Sequence, residues 1–212
     1  MIDLHTHTIF SDGELIPSEL IRRAKMHGYR AIALTDHADY TNLEYIIEGA
    51  CKAKYLEDIM DMRIFAGVEL THVPPEKIAP LALKAKKLGA DIVVVHGETV
   101  VEPVAQGTNK AAVILDAVDI LAHPGFITIE EAIAAKENNV CIELTARKGH
   151  NTTNGHVARI AQEVGATLIV NTDTHSPNDL ITKEFAKSIA MGAGLTKSQA
   201  EKVLKASLKF ID

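Results

Sequence analysis

The chain has no tryptophan, and aromatic residues make up only 4% of its 212 positions. Stacking on bases or sugars therefore has little to draw on. Two cysteines, Cys51 and Cys141, stand far apart with no CxxC spacing. That excludes a disulfide framework and fits small buried thiols in a reducing compartment. No apolar run reaches membrane-spanning length. The first residues lack a basic segment followed by an apolar one, so no secretory signal is expected and the expected location is cytoplasmic. The formal net charge is −6, which leaves no large basic footprint for nucleic acid. No glycine-rich phosphate loop follows the first apolar segment. GxSxG is absent, and neither cysteine sits at a strand end beside a histidine. There is no repeat, low-complexity tract or linker.

What is present is a core-forming chain, 47% hydrophobic and 24% charged. Its length suits one domain, residues 1–212. The unusual count is ten histidines, and their positions carry the information. Met1 to Leu4 reads as a short buried strand ending in His5-Thr6-His7. Residues i and i+2 of a strand share a face, so the two imidazoles aim at one spot, a metal-ligand geometry.

Further apolar strands follow at Ala31 to Leu34, Arg63 to Val68, Asp91 to Val95, Ile120 to Ala122, Val140 to Leu144 and Thr167 to Asn171. Between them lie helical patterns: Pro17 to Met26, Leu43 to Met60, Lys77 to Leu88, Asn109 to Ala117, one opened by the capping box Thr128/Glu131, and one from Asn154 or Gly155 to Val164. Pro80 is tolerable only if it lies in the first turn of its helix. Two helices close the chain, Lys183 to Met191 and Ser198 to Phe210. Strands alternating with helices imply βαβ units and a parallel sheet, and near-continuous apolar strands imply burial on both faces. Seven such units point to a closed or nearly closed barrel. A doubly wound open sheet is the alternative.

The polar residues fall at one end of these strands. The first ends in His5 and His7, the second in His37, the third in Glu69, the fourth in His96, the fifth in His123 and the seventh in Asp173 and His175. C-terminal strand ends carry the active site in α/β barrels. A ring of buried histidines and carboxylates needs a compensating charge, and divalent cations supply it. The sixth strand ends in Arg147 instead, a bidentate phosphate binder, with Lys148 and His150 on the same loop. Asp36 and Glu98, next to candidate ligands, are read as partners for imidazole N–H groups. Glu143 lies on the alternation that points into the barrel. His72 is a pocket-lining candidate; His27 and His156 are read as structural.

The segments HTHTIFSDG (His5 to Gly13), TDH (to His37), GVE (to Glu69), VVHG (around His96), AHPG (around His123) and NTDTH (to His175) resemble the polymerase and histidinol phosphatase (PHP) superfamily. The resemblance implies a single PHP domain folded as a distorted (β/α)7 TIM-like barrel, with a trinuclear metal site at the C-terminal strand ends. It implies two or three divalent ions, zinc, manganese or iron. One would take His5, His7, Glu69 and Asp173. A second would share Glu69 and add His96 and His123. A third would take Asp12, His37 and His175; the position of Asp12 is often a histidine in the family. The implied reaction is hydrolysis of a small phosphomonoester, as in histidinol phosphatases, by a hydroxide bridging two metals, with Glu69, Asp173 and His175 catalytic. Arg147 and His150, from their place on the sixth-strand loop, are read as binding substrate.

Expected partners are thus a small phosphorylated substrate, with no membrane and no nucleic acid; oligomeric state is not legible. A phosphodiesterase or nuclease of the same superfamily is the neighbouring alternative. A metal-dependent amidohydrolase also starts with HxH, but usually wants a lysine at a mid-barrel strand end, and none follows the fourth strand. A purely structural metal-binding domain would be favoured by missing ligands.

Overall fold

The chain was analysed as a computed structural model that describes residues 1–211. Its strands are β1 (Ile2–Asp3), β2 (Ala31–Leu34), β3 (His37–Ala38), β4 (Arg63–Leu70), β5 (Ile92–His96), β6 (Ile120–Ala122), β7 (Cys141–Thr145) and β8 (Leu168–Asn171). Its helices are α1 (Pro17–Met26), α2 (Leu43–Ala53), α3 (Glu57–Met60), α4 (Pro75–Lys87), α5 (Thr108–Val113), α6 (Ile129–Glu137), α7 (Asn154–Val164), α8 (Lys183–Gly192) and α9 (Lys197–Ala206).

All strand pairs are parallel, and the order is β1-β2-β4-β5-β6-β7-β8, with β3 beside β4. Leu34 lies opposite Ala66 and His37 opposite Glu69, the same register. β2 and β3 are therefore one strand interrupted at Thr35 and Asp36, and the eight segments correspond to the seven expected strands. The seam between β8 and β1 is joined beyond the strand ends. A Thr6–Thr174 bridge, His7 N–H to Thr174 O (2.8 Å) and Asp173 N–H to His5 O (3.0 Å) link the two edges. The sheet is nearly closed into a distorted barrel, not an open doubly wound sheet.

Alternation along the strands divides the core in two. Phe65, Ile92, Val94, Ile120, Cys141 and Ile169 fill the barrel interior. Ile64, Val93, Val95, Leu121, Ile142 and Val170 face outward into clusters shared with the helices. Burial of each large aliphatic contributes roughly 1.5–3 kcal/mol. Among the described residues no helix is long and apolar enough to cross a membrane. Both cysteines are free, as expected.

Four elements differ from the sequence reading. The closing helix, α9, stops at Ala206 and ends in a 3₁₀ turn (Ser207–Phe210) instead of running to Phe210. The single helix expected over Leu43 to Met60 is α2, a 3₁₀ turn (Lys54–Leu56) and α3. The tighter turn puts Leu56 into the core and leaves Ile59 exposed, and Asp61 ends α3 in the left-handed region at φ 45. α4 begins earlier than Lys77, so Pro80 lies past the first turn; it is exposed, and the carbonyl it leaves unbonded, that of Glu76, lies at the exposed start of the helix. α5 stops at Val113, short of Ala117.

Candidate metal centre

The inward-facing row of β4, β5, β7 and β8 runs out of apolar residues at its C-terminal end. Phe65 and Gly67 lead to Glu69, Ile92 and Val94 to His96, Cys141 to Glu143, Ile169 and Asn171 to Asp173. Alternation thus carries a hydrophobic interior directly into a polar floor.

The structure brings together all nine candidate ligands. They form overlapping groups: His5, His7 and Glu69; Glu69, His96 and His123; His5, His123 and Asp173; and His7, Asp12, His37 and His175. His5 Nε2 is 3.3 Å from Glu69 Oε1, and His7 Nε2 is 3.3 Å from Asp173 Oδ1. His123 Nε2 is 3.7 Å from Glu69 Oε1 and 3.6 Å from Asp173 Oδ2. Asp12 Oδ1 lies 3.2 Å from His175 Nε2 and 3.5 Å from His37 Nε2. The last group is the most open, with the Asp12 side chain 59% exposed, whereas His5, His7 and Glu69 are fully enclosed.

Several of these donors are stranded. His5 Nε2, both ring nitrogens of His7, and Glu69 Oε1 are buried with no hydrogen-bond partner. An unsatisfied buried polar atom costs about 1–3 kcal/mol. A cation shared among them removes that cost, so the residues fit a cluster of divalent metals; an imidazole and carboxylate set accepts zinc, manganese or iron. Two backbones at the site are also strained: His123 has φ 24 and Asp173 φ 54, and such outliers concentrate at functional sites.

Without bound cations the groups compete for protons. His37 is pushed up to about 9: burial opposes its charge, but the Glu69 carboxylate 2.7 Å away outweighs it. His5 is raised well above the usual imidazole range; burial opposes its charge, but Glu143, Glu69 and Asp173 prevail. His7 and His123 are held well below it, by burial and by neighbouring imidazoles. Burial pushes Asp173 up to about 7 although His5 is adjacent. Glu69 lies well below the carboxylate range because His5, His37 and His96 surround it, overcoming burial.

Ring orientation is set by the nitrogen turned away from the centre. His5 Nδ1 meets Glu143 Oε1 at 2.9 Å. His96 Nδ1 turns to Gly97 O (3.2 Å), and His175 Nδ1 to Asp173 O (3.0 Å). Glu143 also accepts the N–H of His123 (3.1 Å) and Asn171 Nδ2 (2.9 Å). Asp36 and Glu98 do not bind imidazole N–H groups, contrary to the sequence reading. Asp36 accepts from the backbone and hydroxyl of Thr8 and Ser11, holding the turn after β1. Glu98 accepts the N–H of Gly107 and Asn109 at the start of α5. In each case nearby backbone donors occupy the carboxylate. Gly97 and Gly125 let these two ligand loops touch: a Cβ on Gly97 would lie 2.3 Å from Ala122 O, and one on Gly125, at φ 61, 2.0 Å from Glu98 O.

Of the two candidate substrate residues, His150 is buried with its ring centroid 4.3 Å from that of His123. Arg147, half-buried, donates to Asp179 Oδ2 at 3.2 Å, and the same oxygen accepts the N–H of His175 and Ser176. Lys148 is exposed. His72, at φ 51, faces Glu102 at 3.5 Å. His156 donates to Ile127 O and is structural. The sequence reading missed Glu102 altogether, since it belongs to no strand end.

The PHP-domain profile matches residues 3–163. An uncharacterized protein of Methanocaldococcus jannaschii is 57% identical over 95% of this chain and 94% of its own length. Ribonuclease P protein component 3 of Methanosarcina barkeri is 27% identical, covering 93% and 82%. A probable phosphatase of Thermoanaerobacter sp. (strain X514) is 30% identical, covering 93% and 88%. Among solved structures, a chain of archaeal ribonuclease P with mature tRNA superposes at a TM-score of 0.69, with 16% identity, over 98% of this chain and 89% of its own. Histidinol phosphate phosphatase from Lactococcus lactis, in complex with zinc, L-histidinol and phosphate, does so at 0.62, with 15% identity, over 92% and 94%. The chain belongs to the PHP-domain family, whose members include metal-dependent hydrolases.

Proposed function

We propose that this PHP-domain chain is a metal-dependent phosphoesterase acting on a small phosphomonoester, in the manner of a histidinol phosphatase. One observation carries the reading: the unpartnered, fully buried nitrogens and oxygen of His5, His7 and Glu69 at the floor of a bowl ringed by six further ligand-type side chains. Two or three divalent ions, zinc, manganese or iron, would be held there by His5, His7, Glu69 and Asp173, by Glu69, His96 and His123, and by Asp12, His37 and His175. When bound, such ions neutralise a phosphate dianion and lower the pKa of water so that hydroxide is available near neutral pH.

The chain's own residues do the rest. Glu69, common to two groups, and Asp173, within 4 Å of His5, His7 and His123, would fix the spacing of the centre. Glu143 holds the His5 ring with Nε2 inward. His175 and Asp12 form the open side, where substrate enters. Arg147 stands at the rim, where a guanidinium nitrogen not engaged by Asp179 would bind a phosphate oxygen, and His150 lines the wall beside His123. Similarity to the Thermoanaerobacter probable phosphatase supports a phosphatase, and the shared fold of the histidinol phosphate phosphatase is consistent with it.

The identity to ribonuclease P protein component 3 favours a second reading, cleavage of a phosphodiester. A panel on metal-loaded protein separates the two: nitrophenyl phosphate, histidinol phosphate and nucleotides against bis-nitrophenyl phosphate and single-stranded nucleic acid. Turnover of monoesters with little on diesters is expected; the reverse ranking rejects the monoesterase, and no turnover on either rejects the phosphoesterase.

A further inference from the structure

The segment from Thr99 to Gly107, after β5, is pinned at its base. Glu98 Oε1 accepts N–H from Gly107 (2.9 Å) and Asn109 (3.0 Å), and Asn109 donates to Pro124 O (2.8 Å). From this loop Glu102 places its carboxylate among three imidazoles. Oε2 lies 3.1 Å from His96 Nε2 and 3.5 Å from His72 Nε2, and Oε1 lies 3.3 Å from His150 Nε2.

The contact with His96 requires a cation shared by the two groups. His96 Nδ1–H points at the carbonyl of Gly97, so a neutral ring presents a bare lone pair at Nε2. A lone pair facing a carboxylate at 3.1 Å is repulsive unless a proton or a metal cation lies between them. In the metal-free chain the proton serves, since burial opposes the charge of His96 but Glu69 and Glu102 prevail and raise it above the usual imidazole range. A bound ion would take the proton's place. The Glu69, His96 and His123 group also has only three donors, and zinc is usually four-coordinate. Donor atoms around such an ion, with bonds of 2.0–2.1 Å, sit roughly 3.3 Å apart. The spacing of Glu102 Oε2 from His96 Nε2 suits that. The carboxylate stands beside the group, outside the set of ligand atoms that lie within 4.8 Å of one another, with His150 and His72 also within its reach.

We propose that Glu102 is a displaceable fourth ligand of the ion held by Glu69, His96 and His123, an assignment that rests on the metal-centre reading. With an ion bound and no substrate, the carboxylate would fill the open position. With an anionic substrate there, Glu102 would rest against the His72 and His150 imidazoles, where this structure has it. The loop thereby protects the centre and makes phosphate binding an exchange of one anion for another.

The test is zinc titration against a competing chelator, with inorganic phosphate binding to the zinc-loaded protein, for wild type and Glu102→Gln. Circular dichroism checks that the variant is folded. Expected are a fall in affinity for one zinc per chain of roughly ten-fold or more, the others unchanged, together with tighter phosphate binding, since no carboxylate has to leave. Unchanged zinc affinity overturns the proposal. Weakened binding of both zinc and phosphate overturns it too, because a group that merely buttresses His96 would act that way. If wild type itself binds no zinc, manganese or iron, the metal-centre reading has failed, and this inference with it.

Discussion

His5 Nδ1 and Glu143 Oε1 lie 2.9 Å apart in the barrel interior, both side chains fully buried. The carboxylate fixes the ring so that Nε2 points into the ligand cluster, and its other oxygen holds the backbone N–H of His123 at 3.1 Å. Two candidate ligands from opposite sides of the barrel thus depend on one residue that is not itself a ligand. Glu143→Gln keeps the volume and loses the charge and the acceptor symmetry. Metal affinity is expected to fall roughly 10–100-fold, measured by chelator competition. Wild-type affinity in the variant would remove the orienting role.

Glu69 is common to two of the ligand groups and also touches His37. Glu69→Gln should therefore cost more activity than loss of a buttressing group, that is, beyond the roughly 10–100-fold typical there. Phosphatase rates and the melting curve are measured together. Near-normal turnover would reject Glu69 as a shared ligand.

Arg147 tests substrate contact. Its guanidinium is tied to Asp179 by a bond at 3.2 Å, and Asp179 holds the backbone of His175. If a free guanidinium nitrogen binds phosphate, Arg147→Ala raises KM for monoesters by about 1.5–3 kcal/mol of binding, with kcat and metal content kept. An unchanged KM with one ion lost would instead make Arg147 a support for the His175 loop.

Metal loading should release protons. In the metal-free protein His37 titrates at about 9 and Asp173 at about 7, the first because of Glu69 and the second because of burial. Both are raised, so near neutral pH His37 holds a proton and Asp173 partly does, and ligation must displace those protons. Affinity should therefore rise with pH through this window. Calorimetric titration of zinc in buffers of different ionisation enthalpy reads the release; heats independent of buffer would contradict it.

The barrel, and the gathering of most candidate ligands at one end of it, were legible because both follow from local alternation. A run such as Ile92, Val94, His96 states its own facing, and the strands leading to His37, Glu69 and Asp173 repeat the statement. The break at Thr35 and Asp36 also fell where the apolar run stopped. Other features depend on distant partners. Asp36 and Glu98 adjoin ligands in sequence, yet backbone donors of the turn after β1 and of α5 reach them first. Glu102 sits in a loop with no periodicity, and only the folded chain brings it to His96, His72 and His150. Arg147 pairs with Asp179, 32 positions away, across two loops.

The most direct test is anomalous diffraction from crystals grown with zinc or manganese, recorded at the metal's absorption edge. Two or three peaks are expected inside the cluster, bounded by His5, His7 and Glu69 on one side and by His123 and His175 on the others. A well-ordered site with no anomalous peak near those side chains, in crystals that contained the metal, would contradict the metal centre and the phosphoesterase built on it.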